Sequence, residues 1–160
     1  MAKIVPCILV VEDDRAVRDL LVAFLKKGGH TRVVTAGNAE EALFYLLRDP
    51  GLDVRLAIVD LVLPNASGLA LIRKLRNAKS AHRRATPVLV LTGRTDTNTY
   101  KMAARRGIQG YLMKPVSASL FLQAVTDLLA GRKPGLAGDA PAIQANQALN
   151  DVPLPPSLDD

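Results

Sequence analysis

The chain has no tryptophan, and tyrosine and phenylalanine supply only three residues each. Aromatics at 4%, nowhere interleaved with the basic residues, leave no platform for stacking single-stranded bases. The one cysteine, Cys7, excludes an internal disulfide, and its place in an apolar run marks it as a small core residue. His30 and His82, the only two histidines, sit in loop-like stretches with no metal or kinase pattern around them. No apolar run is long enough to span a bilayer, and the N-terminus lacks a signal-peptide pattern. A soluble, cytoplasmic protein without membrane contact is therefore expected. No repeat and no helix-turn-helix are visible, so DNA is not an expected partner.

What is present suffices for a core: 49% of 160 residues are hydrophobic. The net charge of +6 is uneven. Residues 131–160 hold Arg132 and Lys133 against Asp139, Asp151, Asp159 and Asp160, so a basic body precedes a mildly acidic tail. That tail also carries five of the ten prolines. The expected division is a folded domain over 1–130 and a Pro/Ala-rich tail over 131–160. The tail is expected to be disordered or to dock, with one short helix around 141–149 as the alternative, and to contain no output domain.

The body alternates strictly. Ile8 to Val11 is a β-branched strand, and Val17, Leu20, Leu21, Phe24 and Leu25 form a helical stripe stopped by Gly28-Gly29. Thr31 to Thr35 is a second strand. Asn38-Ala39-Glu40-Glu41 reads as a capping box opening a helix that ends at Asp49-Pro50-Gly51. A third strand ends at Asp60, and Ser67 caps a helix whose outer face is basic, with Arg73, Lys74, Arg76 and Lys79. Strands over 87–91 and 109–113 follow, with helices over 96–106 and from Ser117 to Gly131. Five strand–helix units imply an α/β fold, a five-stranded parallel sheet with helices on both faces, and the strand order taken is 2-1-3-4-5, one of the common orders for such a sheet.

All strands but the second end in a polar group: Glu12 and Asp13, then Asp60, Thr92 and Lys114. In the expected order the first and third strands are neighbours at the switch point, where ligands bind. Three carboxylates meeting there repel one another unless a cation intervenes, and a few hard oxygens suit Mg²⁺. A carboxylate can attack phosphorus to form an acyl phosphate. Lys114 and the Thr92 hydroxyl would then face the transferring oxygens, and Gly93 leaves room for them. An enzyme of the dehalogenase-like phosphohydrolase kind needs a second Asp two residues after the nucleophile, where this chain has Val62.

With those residues in that order, the chain resembles the receiver domain of two-component response regulators over about residues 6–130, as a single-domain, chemotaxis-regulator-like member. The carriers are Val10-Val11-Glu12-Asp13-Asp14, Asp60 with Leu63-Pro64 and Gly68, Leu91-Thr92-Gly93, and Lys114-Pro115. The resemblance implies a flavodoxin-like receiver fold and a stand-alone response regulator of a phosphorelay. It implies that Asp60 accepts phosphate from a histidine kinase or histidine phosphotransfer protein. It implies Mg²⁺ held by Asp13, Asp60 and the backbone carbonyl of Val62, with Glu12 acting through water. It makes Thr92 and Tyr111 the switch pair, and the Lys114–Pro115 bond cis. The chain would catalyse its own phosphorylation and dephosphorylation but turn over no external substrate. Output would come by docking to a downstream protein or by onward phosphotransfer, with Lys101, Arg105 and Arg106 on or beside the docking face and a homodimer as one form of output. The alternative is a phosphorylation-independent pseudo-receiver or scaffold that binds an acidic partner or nucleotide through its basic face. Glu12 replaces the commoner Asp, with Mg²⁺ binding expected to survive. Val62 and Arg94 flank the phosphoryl site, which implies slow self-dephosphorylation.

Overall fold

The computed structural model describes residues 3–93, 97–132 and 142–144. The chain opens with β1 (Val5–Val11), three residues earlier than the apolar run alone indicated. Asp14 then caps α1 (Arg15–Lys27), its carboxylate accepting from the N–H groups of Ala16 and Val17. Gly28 ends that helix, and β2 (Val33–Ala36) follows. Asn38 caps α2 (Ala39–Leu43) by accepting from the Glu41 N–H. Glu41 reaches back to the Gly37 N–H at 3.4 Å, one residue short of a regular capping box.

The second half of this helix corrects the expectation of a regular one. Phe44–Arg48 forms a π-helical turn, closed by the Asp49 N–H on the Phe44 carbonyl at 2.9 Å. Arg83 supplies the reason this wider end is tolerated. Its guanidinium donates to the carbonyls of Leu46 at 2.7 Å, Asp49 at 2.6 Å and Tyr45 at 3.5 Å. Helix ends leave such carbonyls without intrahelical donors.

Next comes β3 (Leu52–Val59), then a small antiparallel pair, β4 (Val62–Leu63) and β5 (Ala66–Ser67), turned by Pro64 and Asn65. Asn65 takes φ of 62°, a left-handed conformation that Asn tolerates better than most residues. Ser67 caps α3 (Gly68–Arg76), and Ser80 caps a short α4 (Ala81–Arg84). The rest is β6 (Val88–Thr92), α5 (Thr97–Arg105), β7 (Gly110–Met113), α6 (Ala118–Leu129) and β8 (Ala142–Gln144).

The large sheet is parallel throughout, in the order β2-β1-β3-β6-β7-β8. Its first five strands stand in the order expected from sequence. The sixth, β8, comes from the tail and pairs Ile143 with Tyr111. A helix around 141–149 is therefore corrected for residues 142–144, which are extended. The rest of that expectation falls outside the described residues.

Two apolar layers enclose the sheet. Leu21 and Leu25 of α1 and Phe121, Val125 and Leu128 of α6 cover one face, packing on Ile8, Val10, Ile58 and Leu89. On the other face, Ala42, Leu71, Ile72, Leu75 and Ala103 pack on Leu9, Val11, Val59 and Val90. Cys7 is buried with them, as expected of a core residue.

The basic face expected along the third helix is only partly a face. Arg76 turns inward beneath it. Its guanidinium donates to the carbonyls of Arg106, Arg84, Thr86 and Gly107 and to the side-chain carbonyl of Gln109, at 2.8–3.2 Å. Five acceptors around one fork tie the end of α3 to the loops before β6 and β7. Burial pulls this guanidinium below its usual value. Arg84 likewise caps the Ala78 carbonyl at 2.8 Å.

At the start of β3, Asp53 accepts from Arg55 and from His82, each at 2.7 Å. Burial alone would raise its carboxyl, but the His82 and Arg55 contacts outweigh it and hold it below its ordinary 3.8. A carboxyl depressed in the folded state contributes stability above its unfolded value and loses it as pH falls through the folded one. Asp53→Asn should therefore flatten the acid limb of the stability–pH curve below about pH 4, read by urea midpoints. An unchanged acid limb would contradict this assignment.

Candidate functional site

The strands end nearly level. Val11, Val59 and Val90 are register partners across β1, β3 and β6. The ladder runs one residue further on each side. The Asp60 N–H donates to the Val11 carbonyl at 3.0 Å, and the Lys114 N–H to the Thr92 carbonyl at 2.9 Å. Backbone pairing thus places Glu12, Asp60, Thr92 and Lys114 at one edge of the sheet before any side-chain contact is considered.

The side chains then converge. Lys114 Nζ lies 2.6 Å from Glu12 Oε2 and 2.8 Å from Asp60 Oδ2. The other Asp60 oxygen, Oδ1, accepts from the Val62 N–H at 3.0 Å, and Glu12 Oε1 from the Asp14 N–H at 3.2 Å. One carboxylate oxygen from each of Glu12, Asp13 and Asp60 falls within 4.8 Å of the others. Glu12 and Asp60 are buried, at 2% and 7% exposure, while Asp13 faces solvent. Burial pushes the Glu12 carboxyl up, and the Asp60 charge adds to that; the Lys114 bond opposes without cancelling. For Lys114 burial acts downward, but bonds to Asp60 and Glu12 outweigh it and the ammonium is held above its usual range.

Thr92 closes β6 fully buried, and Gly93 beyond it faces open space, so a Cβ there would meet nothing within 4 Å. Gly68 is the opposite case. A Cβ on it would run into the Asp60 carbonyl oxygen and stand 2.8 Å from Leu61 Cα. The first turn of α3 therefore rests directly on the backbone that carries Asp60. The Lys114–Pro115 peptide is cis, as the sequence resemblance implied.

Tyr111 is buried at 2% and meets Tyr100 of α5 edge-on, with ring centroids 5.4 Å apart. Burial raises the Tyr100 hydroxyl's value. Tyr100 was not singled out in the sequence, where it stands in a helix with few apolar residues. Lys101 on α5 is half-buried, while Arg105 and Arg106 are exposed. Val62 exposes half of its side chain beside Asp60. Arg94 lies outside the described residues.

The donor set suits a divalent cation on chemical grounds. Three hard carboxylates, two of them buried, carry more negative charge than one ammonium balances, and Mg²⁺ favours such oxygens while keeping waters. Among the described residues no helix is long and apolar enough to cross a membrane.

Comparisons with known proteins agree with this geometry. The model of the response regulator receiver domain family matches residues 8–126. The transcriptional regulatory protein AruR of Pseudomonas aeruginosa is 33% identical over 92% of this chain and 59% of its own length. The sensory/regulatory protein RpfC of Xanthomonas campestris is 31% identical over 90% of this chain but only 19% of its own. The chain thus spans less than two thirds of the length of each of these curated relatives. A response regulator receiver protein from Pseudomonas putida has 34% identity and a TM-score of 0.67, over 79% of this chain and 98% of that one. A CheY-like receiver domain protein from Methanospirillum hungatei has 26% identity and a TM-score of 0.70, over 82% and 96%.

Proposed function

This chain belongs to the response regulator receiver domain family of two-component signalling, and from that premise we propose that it accepts a phosphoryl group on Asp60 and uses it to switch a docking face. The observation that carries this reading is the contact of Lys114 Nζ with both Asp60 and Glu12, at 2.8 and 2.6 Å.

Glu12, Asp13, Asp60 and the Val62 carbonyl would hold Mg²⁺, whose contribution is to offset charge on the transferring phosphoryl oxygens. One Asp60 oxygen attacks phosphorus, the bond from phosphorus to the donor's histidine nitrogen breaks, and an acyl phosphate forms. The Val62 N–H, donating to Oδ1, orients the carboxylate for that attack. Lys114 exchanges its contacts with the carboxylates for contacts with phosphoryl oxygens, which need neutralisation more than covalent help. Thr92 supplies a hydroxyl to the same group, and Tyr111, already buried against Tyr100, follows it.

The donor is a histidine kinase or histidine phosphotransfer protein. Lys101, Arg105 and Arg106 lie on and just after α5, the helix that carries Tyr100, and form the docking region for a downstream protein or a second copy. The chain acts on itself and on no external substrate. The alternative, a pseudo-receiver that acts without phosphorylation, would leave Asp60 unmodified under the same conditions.

The test is intact mass after incubation with Mg²⁺ and a small phosphodonor. Wild type should gain one phosphoryl group that maps to Asp60, and Asp60→Asn should gain none. Label on another residue, or none on wild type, overturns the reading. The half-exposed Val62 covers one approach for water to the acyl phosphate. Val62→Asn should therefore shorten the phosphoprotein's lifetime, by roughly tenfold if it places one water. Equal lifetimes in the two proteins would remove this role for Val62.

A further inference from the structure

A second charged site lies away from the phosphoacceptor. The π-helical turn after α2, the end of α3 and the start of α4 line an open groove of about 1010 Å³. Five cations line it: Arg48, Arg73, Lys74, Lys79 and Arg83. No carboxylate does. Some cations elsewhere on the surface find acids, as in Arg15 with Asp19, Arg55 with Asp53 and Arg132 with Asp127. None of the five groove cations makes such a pair among the described residues.

Part of this charge has a structural role. Arg83 satisfies carbonyls at the π-helical end, and cations generally suit helix C-termini. That role accounts for Arg83 but not for Arg48, Arg73 and Lys79, which are exposed and make no such bond. Gathering five like charges in one concavity costs stability unless an anion offsets it. Arg83 is held rigid by its carbonyl bonds, so one wall of the groove is preformed. Asn77 and Ser80 add neutral hydrogen-bonding groups to the lining.

We propose that this groove binds a small ligand carrying two or more adjacent phosphates. Guanidinium forks match phosphate oxygens in pairs, and several cations in one hollow suit concentrated charge. The lining has no aromatic ring, so the phosphates rather than a base are recognised. An acidic protein segment spreads its charge along an extended chain and fits a flat face better than a hollow. The volume also matches the upper end of small-ligand sites, roughly 300–1,000 Å³.

The experiment is calorimetric titration of the full chain with inorganic triphosphate and with ATP. EDTA is present so that no metal recruits phosphate to the acidic pocket. Arg73→Ser/Lys79→Ser should weaken binding roughly tenfold or more, since each loses a charge-assisted contact. Arg15→Ser/Lys26→Ser, with the same change in net charge elsewhere, should bind as wild type. Circular dichroism melts establish that both variants fold. Equal affinity for the two ligands, or tighter triphosphate, identifies an inorganic or phosphate-only ligand; tighter ATP identifies a nucleotide. Absence of binding, equal loss in both double variants, or stronger binding of a polyglutamate peptide than of triphosphate would overturn the proposal.

Discussion

Lys114→Met should lose about 3 kcal/mol of stability at neutral pH in EDTA and recover much of it in Mg²⁺. The ammonium is the only cation touching the side-chain carboxylates of Glu12 and Asp60 among the described residues, and both carboxylates are almost fully buried. Removing it leaves two buried like charges side by side. The cheapest escape is to protonate Glu12, whose ordinary value is 4.5 and which burial already favours in its neutral form. Holding a proton there at neutral pH costs about 1.4 kcal/mol per pH unit, or about 3 kcal/mol in all. A divalent cation among the same oxygens removes the need for that proton. Urea midpoints with and without Mg²⁺ measure both numbers. Phosphoryl uptake should also fall by roughly a hundredfold, because one charge facing the transferring oxygens is gone. A variant as stable as wild type in EDTA would show that the carboxylates are screened by something other than Lys114.

Gly68→Ala should cost about 3 kcal/mol and slow phosphorylation by about a hundredfold. The added methyl collides with backbone, the Asp60 carbonyl oxygen and Leu61 Cα, rather than with a side chain that could rotate away. Either α3 lifts off the sheet or Asp60 shifts. Leu71, Ile72 and Leu75 are fully buried and resist the first. The Asp60 N–H bond to Val11 resists the second. Both routes move the carboxylate relative to Lys114, and a misplacement near 1 Å is worth about two orders of magnitude in rate. Denaturant midpoints and the rate of mass gain read the two effects separately. A midpoint within about 0.5 kcal/mol of wild type would mean the close approach is not maintained in solution.

The strand ends were legible because each couples an apolar run to one polar residue, and such punctuation survives in one dimension. The same holds for the caps Asp14, Asn38 and Ser67, whose residue types announce their backbone role. Contacts were harder. Lys114 and Glu12 stand 102 residues apart, and only the sheet order joins them; their direct bond, without an intervening water, was not foreseen. Arg76 was misread because a basic residue between Lys74 and Lys79 has the pattern of an exposed face. Its inward turn depends on carbonyls from two distant loops. The Tyr100–Tyr111 pair escaped notice because a helix beginning near Thr97 carries few apolar residues, and nothing in the sequence singles out one tyrosine in it. The π-helical turn depends on the Asp49 N–H reaching the Phe44 carbonyl and on Arg83 taking its loose carbonyls, neither of which composition announces.

β8 changes the topology of exposure. Without it, β7 would be the outermost strand, with unpaired backbone groups beside α5 and α6. Three residues of tail close that margin through the pairs Gly110–Ala142, Tyr111–Ile143 and Leu112–Gln144. A chain shortened to Arg132 would bare the margin to any extended segment nearby, its own copies included. Self-association seen only in such a trimmed protein would then reflect the cut rather than the signal.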